Sequence, residues 1–265
     1  MTIELPVESL RNLYPYPDFE FESRVYARDR ERRSLYRVLV LFLLSAGTQD
    51  RILVKVCSNL FDSFPEPEDL ADSGNTKAIL EIIRPSGLQK RKLEHIRSAA
   101  HYCIHCRRKC GTTQSILSSV ADNPAELWQI RGVGGKVFEC VMAYGCGKPT
   151  FPLDINVIRT ILRICGKSGV EDDDMDYVSV RQKLKAILDP AEWIDTHEIL
   201  RLHGLAVCRA ANPQCKICPL SSCQSRQISF NEEMGISKAR QEAKRILINE
   251  WGPWRELICD SPQSG

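Results

Sequence analysis

Four cysteines stand within sixteen residues of one another in "CRAANPQCKICPLSSC". Cys208, Cys215, Cys218 and Cys223 form a C-x6-C-x2-C-x4-C frame. Four thiolates at this density, where the opening residues "MTIELPVESL" lack the apolar core expected of an export signal, point to a metal centre rather than to a disulfide framework. A zinc ion and an iron–sulfur cube both accept four cysteines. One C-x2-C inside a wider, irregular frame suits a cube at least as well as a zinc ribbon, and spacing alone leaves both open. A second chemically loaded stretch is "LWQIRGVGGKVFECV" (127–141), where Gly132, Val133, Gly134 and Gly135 are followed at once by Lys136. Glycines there permit either a very tight turn or a close approach to the backbone. A helix beginning at this point exposes successive N–H groups that suit a phosphate. The macrodipole at a helix start and a desolvating pocket would both favour the free amine of Lys136, making it a nucleophile. The competing interpretation is a surface lysine touching phosphate. Eighteen residues on, Asp154 is placed to cap the next helix, where a carboxylate is stabilised by the dipole. Cys103, Cys106 and Cys110, with His101 and His105, form a third cluster, whose helical spacing also fits core filler.

The elements that must position these residues are helical throughout. Apolar residues recur at helical spacing over 34–46, 49–64, 76–87, 90–106, 123–130, 137–145, 152–166 and 190–208, and alternating strand patterns are absent. Asn123 and Pro124 predict an N-cap and a first helical position. The fold expected is all-α. At 265 residues the chain suffices for a sizeable core. Its 43% apolar and 26% charged content is that of a globular protein, and a net charge of +2 argues for no particular partner. Between Gln89 and Cys110, however, Lys90, Arg91, Lys92, Arg97, Arg107, Arg108 and Lys109 face only Glu94. That run is either a solvated helix face or a phosphate-facing stripe. The most apolar run, "VLVLFLLSA" (38–46), is too short to span a bilayer and predicts a buried helix. The expected setting is therefore intracellular, with no membrane role.

Taken together, these segments resemble the endonuclease III family of helix-hairpin-helix base-excision DNA glycosylases. "IRGVGGKVFECV" is similar to the family's hairpin motif, and the spacing from Lys136 to Asp154 is that between its lysine nucleophile and its aspartate. "PLDINVIRTILRI" resembles the segment after the Gly/Pro-rich loop. "LRLHGLAVC" with the four cysteines resembles the approach to the family's [4Fe–4S] cluster. "LLSAGTQD" (43–50) and "SGLQKRKLEHI" (86–96) resemble two segments that reach into DNA. The resemblance spans about residues 34–224. It implies two helical subdomains flanking a DNA-binding cleft: a six-helix barrel over 38–148, and a cluster-bearing domain from 1–37 with 149–228. Residues 229–265, with Trp251 and Trp254, would be an extension.

The resemblance also assigns roles. Lys136 would attack C1′ of a flipped nucleotide with Asp154 assisting, and a Schiff base would allow strand nicking by β-elimination. Backbone groups of Gly132, Val133, Gly134 and Gly135 would hold a phosphate. Leu88 and Gln49 would fill the hole left in the base stack. Cys208, Cys215, Cys218 and Cys223 would hold a structural [4Fe–4S] cluster, setting Arg209 and Lys216 against DNA. The partner would be double-stranded DNA with damaged bases, chiefly oxidised pyrimidines, or abasic sites, and the protein a monomer. Departures are visible. The last cysteine gap is four residues instead of five, Asn156 stands where relatives often have histidine, and Ile130-Arg131 replaces Leu-Pro. Gly47 stands near the position of a void-filling glutamine. The glutamate of adenine-removing relatives falls at Phe42, which argues against that chemistry. Alternatives on the same residues are a monofunctional glycosylase for alkylated or deaminated bases, a non-catalytic DNA-structure binder, and a zinc-dependent DNA-binding module.

Overall fold

The computed structural model describes residues 5–15, 33–166, 177–226 and 235–248, together with Leu257. Trp251 and Trp254 lie outside them. Among the described residues the fold is all-α, with no β-strand. In chain order the helices are α1 (Val7–Leu13), α2 (Leu35–Leu44), α3 (Asp50–Ser63), α4 (Pro67–Ala71), α5 (Thr76–Ile83) and α6 (Gln89–Cys110). They continue with α7 (Thr113–Asp122), α8 (Gly135–Cys140), α9 (Ile155–Ile164), α10 (Tyr177–Ile187), α11 (Trp193–Ala206) and α12 (Gly235–Ile246). The chain divides into two compact units. One comprises Met1–Glu22 with Pro149–Asn249, the other Ser23–Lys148 with Glu250–Gly265.

The second unit is built around α2. Its sequence LYRVLVLFLL is apolar nearly all round, and every residue from Leu35 to Leu44 is buried, the expected fate of a helix with no polar face. Each fully buried leucine contributes roughly 1.5–3 kcal/mol. Arg37 is the one charged residue of α2; its guanidinium lies 4.9 Å from the ring centre of Phe61. The long helix α6 packs against α2 and α4, and Gly111 ends it at φ 82°. The stretch Pro124–Gln129 is a 3₁₀ run rather than an α-helix, and Asn123 makes no side-chain cap. Helix α8 passes directly into a π-helical turn, Val141–Gly145.

In the first unit, α9 and α11 pack on one another. Gly204 permits the close approach: a Cβ there would stand 2.8 Å from Thr160 Oγ1 and 2.9 Å from the Asn156 carbonyl. Helix α12, part of the segment for which sequence offers no role, belongs to this unit. Its Arg240 donates to the Leu13 and Asn12 carbonyls, both at 2.8 Å, and so ties down the end of α1.

Candidate active site and metal centre

Lys136 occupies the first turn of α8, just after the glycine hairpin. Its Nζ is 2.9 Å from Ser45 Oγ, and Ser45 donates its own proton to the Phe42 carbonyl at 2.7 Å. The serine oxygen therefore faces the lysine as an acceptor, and the amine is held half-buried on the C-terminal edge of α2. Ser45 was not singled out by sequence; it lies 91 positions from its lysine. Phe42 is buried and stacks on Tyr144 with ring centres 5.4 Å apart.

The hairpin itself explains its glycines unequally. Gly132 has φ 85°, and a Cβ there would meet the His95 imidazole at 2.4 Å. Both torsion and packing demand glycine. At Gly134 the space is open for 4 Å around a Cβ. Val133 is buried and its N–H donates to the Ile130 carbonyl at 3.1 Å. Its amide closes the turn, so the N–H groups presented at the start of α8 belong to the residues that follow.

Asp154 caps α9 as expected. One carboxylate oxygen accepts from the Asn156 and Val157 amides at 2.8 and 2.9 Å. The other accepts from Arg201 Nε of α11 at 3.0 Å, with side-chain exposures of only 11% and 13%. An adjacent cation and two amide donors all favour the ionised carboxylate. Arg201 is a second residue that sequence did not reveal. It sits in "LRLHGL", whose period shows a buried helix but not which partner its polar positions meet.

Gln49 precedes α3 and is exposed. Leu88 precedes α6 in a left-handed conformation, φ 49° and ψ 34°, and is 69% exposed. A leucine in the left-handed region is unusual, because its Cβ is strained there. The cationic run on α6 is less uniform than its sequence suggests. Arg107 pairs with Glu66 and Glu68, Arg97 donates to the Leu70 and Asp72 carbonyls, and Lys92 is buried. It is not one phosphate-facing stripe.

Cys208, Cys215, Cys218 and Cys223 line a single cavity of ≈ 360 Å³. Among the described residues, no three Cys, His, Asp or Glu side chains converge as they would on a single ion. Cationic side chains surround the cavity. Arg163 donates to the Arg209 carbonyl at 2.6 Å and lies 3.7 Å from Cys208 Sγ. Arg159 donates to the Cys208 carbonyl, and Arg226 to those of Cys218 and Leu220. Buried His203 links Cys218 Sγ at 3.6 Å to the Tyr14 hydroxyl at 2.9 Å, and burial pulls the imidazole down to about 4. Burial likewise pushes the Cys218 thiol up to about 12. Arg209 is paired with Glu242 of α12 at 2.9 Å. Lys216 is exposed. On α6, Cys103 and Cys106 face the core, Cys110 is half-buried, and His101 and His105 face out.

Comparison with known proteins places this geometry. The family model described as "HhH-GPD superfamily base excision DNA repair protein" matches residues 40–190, more than half of the chain. Endonuclease III of Rickettsia conorii is 28% identical over 185 residues, covering 70% of this chain and 81% of the relative. Endonuclease III of Thermotoga maritima is 24% identical over 220 residues, covering 83% and 94%. A solved structure described as a non-covalent endonuclease III–DNA complex superposes with TM-score 0.67 at 25% identity, covering 83% of this chain and 92% of that one. With an all-helical fold, a hairpin lysine and a capping aspartate in family order, the chain belongs to the HhH-GPD superfamily of base-excision DNA repair proteins, in its endonuclease III family.

Proposed function

We propose that this protein is a DNA glycosylase with AP-lyase activity whose nucleophile is Lys136, acting on duplex DNA carrying oxidised pyrimidines or abasic sites. The observation that carries the assignment is an amine presented in the first turn of the hairpin's second helix and held there by Ser45. A damaged nucleotide is flipped out of the stack. The lone pair of Lys136 Nζ forms a bond to C1′ as the N-glycosidic bond breaks, and the base departs with that bond's electron pair and takes up a proton. Ionised Asp154 stabilises the cationic sugar that develops. Opening of the sugar ring yields a Schiff base. Loss of a C2′ proton then expels the 3′ phosphate, and hydrolysis frees the lysine. Backbone amides at Gly134, Gly135 and Lys136 grip a phosphate of the strand, while Gln49 and Leu88 fill the vacated stack. The enzyme works as a monomer inside the cell.

Cys208, Cys215, Cys218 and Cys223 hold a [4Fe–4S] cluster in this reading. Four cysteines lining one cavity are a donor set that a cube accepts, and Arg159, Arg163 and Arg226 would offset its negative charge. When bound, the cluster cross-links the 208–223 loop and performs no redox step. Iron and sulfide analysis of anaerobically purified protein is expected to give a full cube; stoichiometric zinc without iron overturns this assignment.

Borohydride trapping tests the chemistry. The parent is expected to form a covalent adduct on duplexes with an abasic site or an oxidised pyrimidine. Lys136→Gln is expected to lose both adduct and nick while still binding DNA. Equal trapping by Lys136→Gln overturns the nucleophile, and base release with no adduct in the parent favours a monofunctional glycosylase.

A further inference from the structure

Lys92 is out of place on a cationic helix. It is only 3% exposed, and its Nζ makes three hydrogen bonds: to the Ser86 carbonyl at 2.6 Å, Thr48 Oγ1 at 2.7 Å and the Leu44 carbonyl at 3.0 Å. No carboxylate is among these partners. Burying an unpaired ammonium is unfavourable, and here burial draws the group down to about 8, opposed by nearby Cys57. Such a lysine could be taken for a Schiff-base nucleophile. Its amine, however, is enclosed by three acceptors and has no open side, unlike that of Lys136.

The three acceptors share one property. Ser86 lies two residues before Leu88, and Thr48 immediately precedes Gln49. Leu44 ends the helix from which the Gln49 loop departs. Thr48 reinforces the junction, its Oγ1 lying 2.6 Å from the Leu44 carbonyl and 3.1 Å from that of Ser86. The backbone N–H of Lys92 also donates to the Leu88 carbonyl at 3.0 Å. Leu88 itself occupies a left-handed well that a leucine keeps only when its surroundings over-determine it. An ammonium donating to Ser86 just ahead of Leu88, and to the foot of the Gln49 loop, meets that requirement.

We propose that Lys92 is a positioning residue that locks the Gln49 loop and the Leu88 loop to one another, so that both side chains enter the base stack as a single preset wedge. This rests on the assignment of Gln49 and Leu88 as stack-filling residues. The two loops meet at one ammonium, and the wedge is formed before DNA arrives. Preset geometry removes the ordering penalty that separate flexible loops would incur on binding.

Binding to a duplex with a tetrahydrofuran abasic analogue, measured by fluorescence anisotropy beside the undamaged duplex, tests this. Lys92→Met keeps the volume and removes the donors. It is expected to weaken binding to the abasic duplex about tenfold, the effect of one lost leucine-sized contact, and to leave undamaged-duplex binding within about twofold of the parent. Adding Lys92→Met to Gln49→Ala/Leu88→Ala is expected to produce no further loss, because no wedge remains to be positioned. Thr48→Val, with its half-buried side chain, is expected to show the same pattern at reduced size should Lys92→Met fail to fold. Parent-like abasic binding by Lys92→Met or, in its place, Thr48→Val overturns the proposal, as does a loss that persists in full in the Gln49→Ala/Leu88→Ala background. Parent-like abasic binding by Gln49→Ala/Leu88→Ala instead overturns the stack-filling assignment, and with it this inference.

Discussion

Replacing Arg201 by methionine removes the cation from Asp154 while keeping most of the side-chain volume. The pair is 3.0 Å apart and nearly buried on both sides. Removing one partner of a buried pair costs about 3–5 kcal/mol. Asp154 keeps its two amide donors, so the lower end applies, about 3 kcal/mol. Asp154→Asn retains the cap, since asparagine caps as well as aspartate, but removes the charge opposite the guanidinium at a cost of about 3 kcal/mol. The double variant removes both charges together. If the pair is coupled, its loss falls short of the sum of the single losses by about 2–3 kcal/mol. Urea unfolding followed by circular dichroism measures the four proteins, and hydrogen exchange over 155–164 reports the same cycle locally. Activity separates the two roles: Asp154→Asn is expected to slow base release by orders of magnitude, and Arg201→Met far less, because the carboxylate survives. Losses additive within about 0.5 kcal/mol refute the coupling, and equal rate losses refute the division of roles.

Gly132→Ala is expected to destabilise the protein by about 1–3 kcal/mol, from its left-handed torsion and the His95 ring, with a lowered thermal midpoint. Gly134→Ala, with open space around it, is expected to leave that midpoint unchanged, whereas Gly134→Arg weakens binding to all duplexes by filling the space a phosphate needs. Lys92 is lowered from 10.5 to about 8. Below about pH 8 the folded protein bears the full penalty of a buried charge. Between about 8 and 10.5 the unfolded chain holds the extra proton, so stability rises with pH. Relative to Lys92→Met, the parent is expected to gain up to about 3 kcal/mol between pH 7 and 10.5 in urea titrations; a constant difference contradicts the shift. Tyr14→Phe removes a buried hydroxyl partner of His203 and is expected to cost about 1–2 kcal/mol in the same assay.

What sequence determined about this protein is what acts over a few residues. Helical period specified the all-α class because a stripe every three or four positions has one way to be buried. Asp154 was legible as a cap because its oxygen meets amides two and three residues ahead. The glycines of the hairpin and the cysteine spacing are equally local. Short-range reading still erred where torsions competed, as at Pro124–Gln129, which forms a 3₁₀ run, and it passed over α7 and α10. Tertiary structure decided what those residues touch. Ser45 under Lys136, Arg201 on Asp154 and Tyr14 on His203 join positions 91, 47 and 189 apart. Helical period puts Lys92 on the stripe of Ile96, Ala99 and Cys103 and leaves Lys90 and Arg91 off it, yet only packing shows which acceptors its ammonium meets. A side chain's charge and length are written in the chain. Its partner is selected by which helix faces meet, and that depends on the whole core at once.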